Sequence, residues 1–191
     1  MRIMAFLGSP RKGGNTSILL DEAMRGVQEG GHAVELFRLA QMNIHGCLNC
    51  GGCEETGACV IEGDEMPKIY AAIREADRII LASPIFFSGI PAQAKAMIDR
   101  CQALWCEKYL LKREIPAGPA GRKGLFLTVG GMKMVKHAEC ANSTVTAFFR
   151  TVSVPEHAFL PFRGVDAKGA IREHPTALQE AYEAGKALAA T

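Results

Sequence analysis

Short stretches with no polar interruption recur along this chain, each followed by a segment of helical period. Ile3–Leu7, Arg78–Ala82 with its Ile79, Ile80 and Leu81, and Gly124–Val129 are too evenly apolar for strands with one wet face. A strand of that kind is buried on both sides, as in a parallel sheet held between two layers of helices. Ala33–Leu39 alternates through Val34, Leu36 and Leu39 and reads as a second strand; His157–Phe162 reads as the fifth. Helical segments stand between them. Asn15–Glu29 places Ile18, Leu19, Ala23 and Val27 near one face. Asp64 is a candidate N-cap for a helix over Glu65–Glu75, and Pro91 suits the first turn of a helix running to about Leu104. Ala138–Thr151 and Thr176–Ala190 complete the set, the latter with Leu178, Ala181, Tyr182 and Leu188 inward. This alternation predicts a doubly wound five-stranded parallel sheet of order 2-1-3-4-5, with helices on both faces. Ligands of such a sheet bind at the carboxyl ends of its strands.

Between the second strand and the next helix lies a different kind of segment. Four of the seven cysteines, Cys47, Cys50, Cys53 and Cys59, fall in one glycine-rich stretch of a cysteine-rich insertion at about 44–63. Core cysteines scatter; these share a short loop in which their sulfurs can converge. An odd cysteine count and an apolar run at the start too short for a secretory signal point to a reducing cytoplasm, where such spacing signals metal binding or catalysis. Zinc sites usually pair two CxxC units across a longer span. Three cysteines at gaps of two, then a fourth, are closer to the bacterial ferredoxin run, with Cys59 closing onto the same cluster. The spacing favours an iron–sulfur cluster and leaves zinc and free thiols open.

Size and charge narrow the remainder. A chain of 191 residues, 48% apolar, suits one domain with a substantial core. A formal net charge of +2, with Lys and Arg dispersed, offers no field for nucleic acid or an anionic membrane. No apolar segment is long enough to span a bilayer. Ile115–Gly121 reads as a surface loop within the domain.

The loop after the first strand, Gly8–Ser17, has the composition of an anion cradle. A helix N-terminus supplies unpaired N–H groups and the positive end of its dipole. Ser9, Asn15, Thr16 and Ser17 add polar donors, Arg11 adds a charged fork, and Gly13 and Gly14 let the backbone wrap closely. The Gly-Lys-Ser/Thr ending of a nucleotide P-loop is missing, and Pro10 stands where G-x-G-x-x-G needs glycine. A single terminal phosphate is the fitting ligand, against the plainer reading of a polar turn capped by Asn15.

Two further loops leave the same sheet edge. After the third strand come Ser83, Pro84, Ile85, Phe86, Phe87 and Ser88, which suit a flat apolar ligand, although at least one of the phenylalanines could instead cap the core. After the fourth come Gly130 and Gly131, which let the backbone approach that ligand. A phosphate, a ring and a close backbone contact together describe flavin mononucleotide (FMN).

These segments, Gly8–Thr16, Cys59–Met66 and Ser83–Arg100, resemble the NADPH-dependent FMN reductase family of flavodoxin-like proteins, over most of the chain. Within it the cysteine run is similar to that of the iron–sulfur flavoproteins, which carry FMN and one [4Fe–4S] cluster per subunit. The resemblance implies Cys47, Cys50, Cys53 and Cys59 as cluster ligands, Gly8–Ser17 as the phosphate cradle, Ser83–Ser88 as the isoalloxazine loop and Gly130-Gly131 as a second ring contact. Where the family usually has two acids after the last cysteine, this chain has Gly63-Asp64. A homodimer or homotetramer is also implied, and the apolar segment Cys101–Leu111, with the only Trp, is the expected interface.

The functional expectation is an oxidoreductase moving electrons between a ferredoxin-like or NAD(P)H donor and a small-molecule acceptor. The alternatives are a cluster-free NAD(P)H-dependent reductase of FMN or quinones, and a non-catalytic flavodoxin-like electron carrier. No side chain stands out as a catalytic proton donor: His45 adjoins the cysteines, and the other histidines lack metal spacing. Cys101, Cys106 and Cys140 read as packing residues or bystanders.

Overall fold

In the computed structural model, which describes residues 1–115 and 121–190, five parallel strands form one sheet of order β2-β1-β3-β4-β5. The strands are β1 (Ile3–Leu7), β2 (Val34–Arg38), β3 (Arg78–Pro84), β4 (Lys123–Gly130) and β5 (His157–Arg163). Side chains alternate across a strand, so each central strand feeds two cores. Met4, Phe6, Ile79, Leu81 and Phe126 face one. Ile3, Ala5, Leu7, Ile80, Ala82, Leu125 and Leu127 face the other. The evenly apolar runs are therefore two interleaved apolar faces. The edge strands β2 and β5 are only partly buried, and Pro161 is tolerated in β5 because an edge strand need not donate on both sides.

Helices α1 (Asn15–Glu29) and α6 (Ala177–Ala189) cover one face; α2 (Met66–Glu75), α3 (Ala92–Arg100) and α5 (Val135–Thr151) cover the other. The α1–α6 contact is unusually close. A Cβ on Gly185 would stand 1.9 Å from the Ala23 carbonyl oxygen, and one on Gly26 would stand 2.1 Å from that of Tyr182. Only glycine permits backbones at that separation.

The helix expected from Pro91 to Leu104 is broken. Pro91 is the N-cap of α3, which ends at Arg100 with Cys101 as its C-cap, and the chain continues as α4 (Gln102–Trp105) and a π-turn, Cys106–Leu110. The extra residue of the π-turn brings Cys106 inward to full burial, two positions beyond Leu104 where a regular helix would face it elsewhere. Helix α5 begins three residues before the expected Ala138, because its first turn is exposed and carries no apolar period. Of the expected loop Ile115–Gly121, residues 116–120 lie outside the described residues; Ile115 belongs to the core. No described helix is long and apolar enough to cross a membrane.

Candidate functional site

The strand order creates a crevice where neighbouring strands send their chains to opposite faces. After β1 the chain turns to α1 on one face; after β3 it turns to α3 on the other. The two loops start side by side, tied by the Gly8 N–H donating to the Ala82 carbonyl at 2.8 Å. The pocket at this point is lined by Ser9, Pro10, Arg11, Gly14, Asn15 and Thr16 from the first loop, Pro84, Ile85 and Phe86 from the second, and Val129, Gly130 and Gly131 from the third.

Its first wall is an open helix N-terminus. Gly14 is the N-cap of the fifteen-residue α1, and no side chain bonds the first-turn amides. Nor does an acidic residue stand in that turn. Those N–H groups and the dipole end are free for an anion. Gly14 is confined: a Cβ there would press on Arg11 Cβ at 3.0 Å. Arg11 spends its guanidinium on one marginal 3.5 Å bond to the Asp166 carbonyl. Not every expected donor points to the ligand space. Ser17 donates to the Gly14 carbonyl at 2.9 Å. Asn15 is not the cap; its amide donates to Ala167 O (2.9 Å) and its oxygen accepts from Ile171 N–H (3.3 Å), fastening the segment after β5.

That segment supplies two pocket residues that sequence reasoning missed, Val165 and Asp166. The only signal was their place after a strand's carboxyl end. Gly130 and Gly131 also have a role besides ligand approach, since a Cβ would meet Ile85 Cβ at 3.1 Å on the first and Asp166 Cβ at 3.1 Å on the second.

The second loop is a tight turn. Phe86 and Gly89 exchange both backbone hydrogen bonds at 2.9 Å, and between them Phe87 (φ 48°) and Ser88 (φ 63°) both sit in the left-handed region that glycine normally occupies. Neither phenylalanine caps the core: Phe86 is 48% exposed, and Phe87 is 107% exposed. Ser88 Oγ is bonded to Nδ1 of His137 in the first turn of α5, a histidine the sequence had not linked to this loop. Phe87 and Ser88 stand outside the pocket lining, while Ser83 lies buried beneath it with its hydroxyl donating to Pro84 O at 2.8 Å.

All four cysteines of the insertion line a second pocket, against Arg100, Gln102, Ala103 and Cys106. Gly51 and Gly57, both at φ 75°, turn the loop back on itself. Cys106 is no bystander, because its sulfur lies 3.6 Å from that of Cys53. Burial and this neighbouring thiol push the Cys53 thiol up to about 11, so ligation there must displace a proton. Among the described residues no three His, Cys, Asp or Glu side chains form a group that could hold a metal ion. A cubane cluster is much wider than an ion, and its four thiolates stand correspondingly farther apart. The donor set, four thiols around one partly enclosed pocket, fits that larger group.

An ion pair with no solvent exposure anchors the insertion. Arg100 Nη1 lies 2.5 Å from Asp64 Oδ2. Asp64 also accepts from the N–H groups of His45 (3.1 Å) and Met66 (3.0 Å); the N-cap of α2 is Glu65, one position after the expected Asp64, whose carboxylate still bonds the first amide of the helix. Desolvation raises the Asp64 pKa, but these bonds and the guanidinium outweigh it and hold the carboxyl below its usual value.

A sequence model of the NADPH-dependent FMN reductase family matches residues 1–163. The chain belongs to that family. The NADPH-dependent FMN reductases are flavin-dependent oxidoreductases. The chain is similar to an iron–sulfur flavoprotein of Methanocaldococcus jannaschii, 39% identical over 54% of this chain and 53% of the relative. It is also similar to an iron–sulfur flavoprotein of Methanosarcina thermophila, 34% identical over 70% and 65%. Each match thus spans less than two thirds of the relative's length. In structure the family member is similar to a NAD(P)H:quinone oxidoreductase from Methanothermobacter marburgensis, with TM-score 0.75 at 22% identity, over 100% of this chain and 97% of that one. An FMN-dependent NADH-azoreductase from Bacillus anthracis superposes with TM-score 0.70 at 13% identity, over 100% of both chains. At those identities the likeness concerns the flavodoxin-like fold.

Proposed function

We propose that the chain is an FMN-binding oxidoreductase, a single domain with a cysteine-rich insertion, that passes electrons between a ferredoxin-like or NAD(P)H donor and a small-molecule acceptor. The observation that carries this reading is the convergence of the loops after β1, β3 and β4 on one pocket at the switch point of the sheet. The open α1 N-terminus with Arg11 and Thr16 would hold the terminal phosphate, Pro84–Phe86 would border the ring, and Gly130-Gly131 would keep that side of the pocket open. Cys47, Cys50, Cys53 and Cys59 would hold a [4Fe–4S] cluster, in keeping with the iron–sulfur flavoproteins to which the chain is similar. When bound, FMN supplies two-electron or stepwise one-electron chemistry and the cluster supplies one-electron transfer. The chain's own part is to bind both and tune them: backbone N–H groups of the glycine-rich loop can bond cluster sulfurs.

Trp105, Tyr109 and Leu110 stay exposed while Cys101, Leu104 and Cys106 enter the core, which supports the outer half of that segment as the face of a homo-oligomer. Anaerobic purification tests the function. About four irons per chain with bound FMN, and bleaching of a broad visible absorption on reduction, is the expected result. Bound FMN without iron, with rapid NADPH oxidation, would replace the reading with a cluster-free reductase. Absence of FMN from protein supplied with excess flavin would overturn it altogether.

A further inference from the structure

Arg100 is 1% exposed and lines the cysteine pocket. Its hydrogen bonds run to both ends of the cysteine run. Nη1 donates to His45 O at 3.1 Å, ahead of Cys47, and Nη2 donates to Ile61 O at 3.3 Å, beyond Cys59. Nη1 also pairs with Asp64, while the Tyr70 hydroxyl bonds Arg100's own carbonyl at 2.8 Å. One guanidinium nitrogen is left over: Nε is fully buried and has no hydrogen-bond partner. A buried donor without an acceptor is destabilising. The four cysteines of the insertion line the same pocket as Arg100, and their sulfurs are the acceptors that a loaded site would offer.

We propose that Arg100 is a positioning residue of the cluster site, closing the loop through His45 and Ile61 and offering its unpaired Nε–H to a sulfur of the bound cluster or its ligands. The inference rests on the cluster reading above. Its physical content is specific. Asp64 cancels the guanidinium charge, so Arg100 acts through direction more than through net charge. A hydrogen bond to a ligating thiolate stabilises the more negative, reduced state and raises the reduction potential. Lysine could keep the Asp64 pair but has no Nε–H and no fork.

The experiment compares the anaerobically purified wild type with Arg100→Lys, reading iron per chain, bound FMN and the cluster midpoint by potentiometric EPR. The expected result is full FMN, near-full iron and a midpoint shifted to lower potential. The sign excludes a merely structural role. A loosened loop would admit water, which also favours the more charged reduced state, and the midpoint would rise. An unshifted or raised midpoint at full iron would overturn the inference. Should the variant fail to hold iron, the wild type grown on 15N-arginine decides: a 15N coupling to the reduced cluster in pulsed EPR supports the assignment, and its absence sinks it. Wild-type protein that binds FMN but no iron would remove the cluster reading and this inference together; full wild-type iron with a negative result removes only the inference.

Discussion

Replacing Asp64 by alanine should uncouple the cysteine insertion from the sheet without unfolding the protein. The substitution leaves the Arg100 guanidinium buried with no counter-charge, a change that costs about 3–5 kcal/mol in comparable pairs. Loss of the carboxylate from the Met66 N–H at the start of α2 adds about 1 kcal/mol. These exceed what the loop can resist. Within 43–65 few side chains are buried, and its own backbone bonds are few, among them Gly57 N–H to Cys53 O and Glu65 N–H to Asn43 O. Opening the loop hydrates Arg100 and relieves most of the penalty, so the strain discharges locally. A local change of about 3 kcal/mol corresponds to about a 100-fold faster opening equilibrium. Hydrogen–deuterium exchange read by mass spectrometry would show it as about 100-fold faster exchange across 43–65. Peptides from β1 and β4 should keep their wild-type rates, and FMN affinity should stay within about twofold, since the flavin pocket shares no residue with the pair. Exchange in 43–65 within threefold of wild type would refute the argument, as would equal acceleration of the sheet.

Asp64 has a depressed native pKa, so its stabilising effect is complete above the ordinary value of 3.8 and is lost as pH falls through the lower native value. The urea-midpoint gap between wild type and Asp64→Asn should therefore close on acidification below pH 3.8 and stay level above it. Arg11→Ala should weaken FMN binding about 10- to 100-fold, the worth of a charge-assisted bond to phosphate, in a flavin-fluorescence titration; an unchanged Kd would exclude Arg11 from the cradle. Phe87→Gly relieves a left-handed φ at a fully exposed side chain outside the pocket lining, so the flavin-free protein should gain about 0.5–1 kcal/mol in urea melts while FMN affinity stays within about twofold; a loss of stability would refute the strain argument. Gly185→Ala drives a methyl into the Ala23 carbonyl of α1 and should destabilise the fold by about 3 kcal/mol, against near-neutrality if the α1–α6 contact were slack.

The strands and the loops that matter were legible because burial on both faces removes every polar residue from β1, the middle of β3 and most of β4, and because ligand loops must follow those strands. Ser9, Arg11, Gly14 and Thr16, Pro84 to Phe86, and Gly130-Gly131 accordingly line one pocket. Local pattern could not show which donors are already taken. Asn15 and Ser17 look like ligand groups until Ala167, Ile171 and the Gly14 carbonyl are found to hold them.

The primary sequence alone determined the doubly wound sheet, the polar glycine-bearing loop after its first strand and the four-cysteine run, since each is written in neighbouring residues through apolar period, loop position or spacing. Tertiary structure alone decided what stands across from them. Cys106, Arg100 and Asp166 join the two pockets from 53, 41 and 155 positions away from Cys53, Cys59 and Arg11. No local pattern marks such a partner, because its role depends on which helix or strand end the fold lays against the loop.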